Sequence, residues 1–140
     1  AYSVMAPKSW VETDELSPDA QISLMNARKE QYLICITERL IDFDESTTLE
    51  DFYDLVIINM KAAMQNASLT QPVNEMLNGA EAMSVELSGT VEKMKVTYFI
   101  TLYKTKSSFT QVIGWTLLSK TDENREIITQ AVRSFKELDS

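Results

Sequence analysis

The residues best placed to do chemistry in this chain are carboxylates. Asp42, Asp44 and Glu45 precede a segment that adds Glu50, Asp51 and Asp54, and hard cations such as calcium take oxygen ligands of this kind. Aligned on an EF-hand loop starting at Asp42, however, the glycine position holds Thr47 and the bidentate glutamate position holds Tyr53. Helix capping and solvation account for the cluster, and no metal is expected to be needed for folding. A carboxylate pair working as in glycoside hydrolysis would need two groups to meet in space, with Glu38 and Glu86 as the candidates.

Other nucleophilic and general-base chemistry is restricted by composition. The chain has no histidine, which removes the Ser-His-Asp and Cys-His arrangements and histidine-based metal sites. Its three glycines, Gly79, Gly89 and Gly114, are too widely spaced for a phosphate-binding loop, a dinucleotide fingerprint or a nucleophile elbow. The single cysteine, Cys35, sits in the apolar run Tyr32-Leu33-Ile34-Cys35-Ile36; it is read as a buried structural thiol, unable to form an internal disulfide. Met60, Met64, Met83 and Met94 are read as packing residues rather than soft-metal ligands. No cofactor is expected. Trp10 and Trp115 are the candidate partner-binding residues, because exposed aromatic side chains anchor protein interfaces, with core packing as the competing role. Asn66-Ala67-Ser68 has the form of a glycosylation acceptor, relevant only in a eukaryotic secretory setting.

The elements that position these residues follow from hydrophobic period. Residues 1–140 are read as one domain, since 140 residues with 44% hydrophobic and 24% charged side chains can bury a core without disulfides. Tyr2 to Ala6 predicts a short strand stopped by Pro7, with Trp10 and Val11 as a hydrophobic plug. Glu12 to Asp19 reads as a solvated loop. Ala20–Ala27 and Tyr32–Ile41 form a hairpin, the second strand apolar on both faces. Leu49, Phe52, Tyr53, Val56, Ile57, Met60 and Met64 recur at helical spacing, predicting an amphipathic helix capped by Thr47 with Glu50 and ending near Asn66. Asn78-Gly79 opens a meander of three strands: one around Met83, Val85 and Leu87, one from Lys93 to Tyr103, and one from Phe109 to Leu118. A closing helix starts at Ser119–Asp122 and buries Ile127, Ile128, Ala131, Val132, Phe135 and Leu138. This is an α/β (α+β) class chain: a mainly antiparallel sheet of about six strands sandwiched by helices.

Several short motifs resemble the PsbP/Mog-like fold, an α/β/α sandwich that also includes DcrB-type bacterial lipoproteins. They are Pro7-Lys8-Ser9-Trp10, Leu77-Asn78-Gly79-Ala80, the strand from Val112 to Leu118 with Gly114-Trp115 at its centre, and Val132-Arg133-Ser134-Phe135. The resemblance spans nearly the whole chain. It implies non-enzymatic protein binding, since that family includes a photosystem II assembly subunit, a Ran-binding protein and secretion-effector chaperones. It assigns no binding residue here.

With 13 basic and 21 acidic residues the formal charge is −8, so the overall field disfavours nucleic acid and anionic membrane surfaces as partners. The start, Ala1 to Met5, has neither the basic opening nor the apolar run of a signal peptide, and no initiator methionine stands before it. The reading is a non-catalytic protein-binding or assembly domain, placed outside the cytoplasm as the soluble part of an exported bacterial lipoprotein whose signal or lipid anchor has been removed. The alternatives are a cytosolic adaptor or secretion chaperone of the same fold, and a carboxylate-based hydrolase.

Overall fold

Period-two alternation over long stretches makes β-structure the dominant feature of this chain. The computed structural model describes residues 2–138. In chain order it contains β1 (Tyr2–Ser3), β2 (Val11–Glu12), β3 (Ile22–Asn26), β4 (Gln31–Arg39), α1 (Leu49–Ala62), β5 (Gln65–Leu69), β6 (Val73–Leu77), β7 (Ala80–Val91), β8 (Met94–Lys104), β9 (Ser108–Leu117), α2 (Thr121–Val132) and β10 (Lys136–Glu137). An eight-stranded, wholly antiparallel sheet runs β2-β3-β4-β9-β8-β7-β5, with β6 also paired to β7. A separate pair, β1 with β10, brings the two ends of the chain together.

The two faces of the sheet are separated by residue parity. Met83, Val85, Leu87, Ile100, Leu102, Phe109 and Ile113 point to one side and are covered by Leu49, Phe52, Tyr53, Val56 and Ile57 of α1. Leu33, Cys35, Ala82, Phe99, Tyr103 and Val112 point to the other and are covered by Ile128, Ala131 and Val132 of α2, together with Trp10 and Phe135. Two apolar layers, one on each face, make the antiparallel α+β sandwich that the hydrophobic stripes predict. Gly114 lets α2 lie close, because a Cβ there would sit 2.3 Å from Ile128 Cγ2 and 2.9 Å from Val132 Cγ2.

Several elements differ from expectation. The first strand extends only over Tyr2–Ser3, and Val11–Glu12 is an edge strand on β3 rather than part of a plug and loop. The capping box of α1 is Thr48 with Asp51, one residue beyond the expected Thr47–Glu50 pair. Thr48 carries the extended backbone of a cap (φ −93°, ψ 168°), its hydroxyl accepts from Asp51 N, and Asp51 accepts from Thr48 N at 2.9 Å. The helix ends at Ala62, four residues early. Gln65 then pairs with Thr90, and the register shifts between Gln65 and Ser68, where Asn66 holds φ +56°. Strands β5 and β6 were not expected either: they lie end to end along β7. At their junction Pro72 cannot donate, and Thr70 bridges the gap, its N–H donating to Glu86 O and its hydroxyl accepting from Glu86 N, each at 3.0 Å.

In the closing segment, α2 ends at Val132, so Phe135 packs from the extended return to β10 rather than from a helical turn. It is 1% exposed and stacks on Tyr2 with 5.6 Å between ring centres. Met60 and Ile127 are half-buried, each packed against its core cluster, and Leu138, which follows β10 rather than lying on a helical stripe, is exposed. Met94 is likewise exposed, at the tip of the β7–β8 hairpin, and does not pack in the core.

Candidate functional site

Helices α1 and α2 are offset across the sheet. Helix α1 packs on β7 and β8, whereas α2 packs on β9, β8 and β4. Each face therefore has a half with no helix over it. On the α1 side the bare part is formed by β4 and the residues of β9 other than Phe109 and Ile113, which α1 reaches, and the alternate residues that point there are Tyr32, Ile34, Ile36 and Glu38 on β4 with Gln111, Trp115 and Leu117 on β9. The registers Tyr32↔Trp115 and Tyr98↔Trp115 bring three aromatic side chains side by side on adjacent strands. Tyr32 stacks on Trp115 at 5.4 Å and 16°, and Tyr98 meets its other edge at 6.0 Å and 51°. All three are half-buried.

Between this aromatic row and α1 runs a groove of roughly 450 Å³. Leu55, Asn59 and Ala63 form the helix wall, and Tyr98, Gln111 and Glu38 form the sheet wall. Leu55 is 50% exposed and its helix neighbour Ile58 65% exposed, so the outer surface of α1 continues the apolar surface beyond the groove. Charge is sparse along it. Tyr32 donates its hydroxyl to Glu30 Oε2 at 2.8 Å; burial first, and then this carboxylate acceptor, push the phenol up to about 12. Burial also raises Tyr98. Both phenols therefore stay neutral donors through the physiological range, and neither is a base.

Of the candidate partner-binding residues, Trp115 lies in this surface and Trp10 does not. Trp10 is 6% exposed. Its indole N–H donates to Gln31 Oε1 at 2.9 Å, Gln31 donates to Asn124 Oδ1 at 2.8 Å, and Asn124 donates to Thr116 Oγ1 and Lys29 O. The indole is spent satisfying a buried amide chain that ties the N-terminal segment to β4 and α2. That role as an exposed anchor is corrected by the structure. Cys35 is fully buried, as expected, and burial pushes its thiol up to about 12.

The carboxylates do not converge. Glu38 opens onto the α1 face, but Glu86 lies on the α2 face, where its carboxylate pairs with Arg125. A hydrolytic pair of these two is therefore ruled out by strand parity. In the acidic segment, Asp44 accepts from Ser46 N and Oγ, which holds its carboxyl below the usual range, and Asp51 closes the helix cap. Among the described residues no three acidic or thiol side chains approach as metal ligands would. Sequence reasoning missed Tyr32, Tyr98 and the groove. The alternation placing Tyr32, Ile34 and Ile36 opposite Leu33 and Cys35 was visible, but not that α1 stops short of them.

No protein-family model and no curated protein sequence matches the chain. Solved structures do match. They include LpqN, involved in cell envelope biogenesis of Mycobacterium tuberculosis, at TM-score 0.71 and 10% identity, covering 96% of this chain and 82% of that one. The cyanobacterial PsbP (CyanoP) of Synechocystis sp. PCC 6803 aligns at 0.66 and 14% identity, over 96% and 85%. The chain has a PsbP-like fold. A protein of unknown function from Pseudomonas aeruginosa, PA94, described as a putative regulator, shares it at 0.65 and 8% identity, over 100% and 85%. At such identities the likeness concerns the fold alone.

Proposed function

We propose that this PsbP-like chain is a non-catalytic protein-binding or assembly domain, and that the bare half of its α1 face is the surface it uses. The observation that carries this is the row Tyr32, Trp115 and Tyr98, half-buried with no helix over it and continuous with Leu55 and Ile58. Aromatic side chains with a buried edge and an open edge lose little conformational freedom on binding and contribute much contact area. Among the residues lining its groove Glu38 is the one carboxylate, so the surface offers no carboxylate pair. Placement outside the cytoplasm, as the soluble part of an exported lipoprotein, belongs to the same proposal, and the shared fold of the envelope protein LpqN supports it. Fractionation of the source cells tests that placement.

The binding role is tested in the source cell with a photo-crosslinking amino acid at position 55, and at position 126 on the outer surface of α2 as the control. A discrete cross-linked protein at 55, absent at 126 and lost with Trp115→Ala, is the expected result. Equal cross-linking at both positions, or none at 55, rejects the surface.

A further inference from the structure

The bare half of the opposite face has a different chemistry. On the α2 side a trough of roughly 390 Å³ separates α2 from β7 and the broken edge strand β5–β6, within the size range of small-ligand pockets. Arg125, Thr129 and Arg133 line its helix wall at four-residue intervals, so the two arginines stand about 12 Å apart along the axis. Each is tied across the trough to the sheet. Arg125 makes a two-point contact with Glu86, at 3.0 and 3.2 Å, and a third with Asp122 at 2.9 Å. Arg133 Nη1 lies 2.6 Å from Glu75 Oε1 without an N–H directed at that oxygen, so the contact is an ion pair rather than a hydrogen bond.

Between these two ties the lining is uncharged and mixed, with apolar walls from Val73, Phe99 and Val132 beside hydroxyl groups. Ser84 and Thr101 share a hydrogen bond of 2.8 Å on the floor; it uses one of their two hydroxyl hydrogens, leaving the other to donate and lone pairs to accept. Thr70 and Gln71, at the break between β5 and β6, form the far rim, held there because Thr70 is bonded to Glu86 at both its N–H and its hydroxyl. The guanidinium of Arg125 retains unused N–H groups beside the free lone pairs of Glu86. An anion finds no unpaired cation here, and a cation meets two guanidiniums. An uncharged ligand whose hydroxyl groups both donate and accept, and which has an apolar C–H face to lie against the valine and phenylalanine walls, matches both kinds of group on offer. We propose that the trough is a binding site for a small neutral polyhydroxylated molecule of the saccharide class, separate from the protein-binding face.

The test is a titration of the isotopically labelled protein with maltose, cellobiose and N-acetylglucosamine, following backbone amide shifts, with inorganic phosphate and acetate as parallel arms. Saturable shifts confined to β6, β7 and α2 with at least one sugar, in the millimolar range, are expected. The double variant Ser84→Ala, Thr101→Val should weaken that sugar's binding at least tenfold. It removes both partners of one hydrogen bond together, so neither is left unsatisfied and the fold is kept, which the unchanged remainder of the spectrum verifies. Saturation by phosphate or acetate in place of sugar, the absence of any saturable shift, or sugar binding indifferent to the double variant would each overturn the proposal.

Discussion

Replacing Asn78 tests how the end of α2 is held. Asn78 occupies the first turn position between β6 and β7, with φ +53°, and its side-chain amide donates to Arg133 O at 3.1 Å and Phe135 O at 2.9 Å. Helix α2 has no left-handed glycine after it; its C-cap is Arg133 at φ −87°. Two carbonyls at the end of the helix and just beyond it are thus satisfied from 55 and 57 residues away in sequence. Asn78→Gly keeps the left-handed turn at little backbone cost and deletes both bonds. One bond is exposed and the other half-buried, so the low end of the usual range applies to each, a loss of about 1–2 kcal/mol in all. Asn78→Asp also loses both donors and puts a carboxylate against two carbonyl oxygens at the negative end of the helix dipole, for about 2–4 kcal/mol at neutral pH. Those oxygens raise the folded-state pKa of the introduced carboxyl above its unfolded value. Its extra penalty is therefore complete above the folded pKa, fades as pH falls from the folded to the unfolded pKa, and is gone below the unfolded one. Urea unfolding at pH 7 and pH 3.5, followed by tryptophan fluorescence, reads both variants, and amide exchange over residues 129–137 reports local loosening. If Asn78→Gly lies within about 0.3 kcal/mol of the parent, or Asn78→Asp is no worse than Asn78→Gly at pH 7, the long-range cap contributes nothing to stability and the reasoning fails.

Gly114→Ala forces a methyl group onto Ile128 and Val132 and should cost about 1–3 kcal/mol, read as a lower urea midpoint; an unchanged midpoint would show that α2 can back away freely. Cys35 should resist aromatic disulfide reagents at pH 8 until the protein is unfolded, because burial and a thiol pushed up to about 12 leave almost no accessible thiolate; stoichiometric labelling within seconds contradicts it. Glu92 and Lys93 form the β7–β8 turn with φ of +47° and +72°, so the pair Glu92→Asn, Lys93→Gly should raise stability by about 1 kcal/mol and the thermal midpoint with it. Calcium measured against chelator should leave the thermal midpoint unmoved, since Asp44 and Asp51 are occupied in local caps; a rise of several degrees at micromolar calcium would restore the acidic segment as a site.

What the sequence determined by itself is what repeats along it. Alternation along β8 and along β9 gave those strands to within a residue, and alternation around Val85 located β7 without its ends, because successive side chains of a strand go to opposite faces. The stripe from Leu49 to Ile57 fixed α1, and Asn78-Gly79 fixed the turn before β7. Histidine's absence removed whole classes of chemistry in advance. The edge strands β5 and β6 were hidden. Of their residues only Leu69, Glu75 and Leu77 are not exposed, and a strand that buries neither face has no apolar period to read.

The candidate site lay beyond the sequence for a related reason. Tyr32, Tyr98 and Trp115 come from three strands far apart in the chain, and only the pairing β4-β9-β8 makes them neighbours. Trp10 and Trp115 look alike in sequence, yet one meets Gln31 in the interior and the other faces the bare half of the sheet. Period gives the face to which a residue points, but not what lies above that face. That was decided by the lateral offset of α1 and α2, which depends on where bulky contacts such as Phe52 on Phe109, and close approaches such as Ile128 over Gly114, let each helix settle. These are three-dimensional packing constraints between distant segments, and no local pattern encodes them.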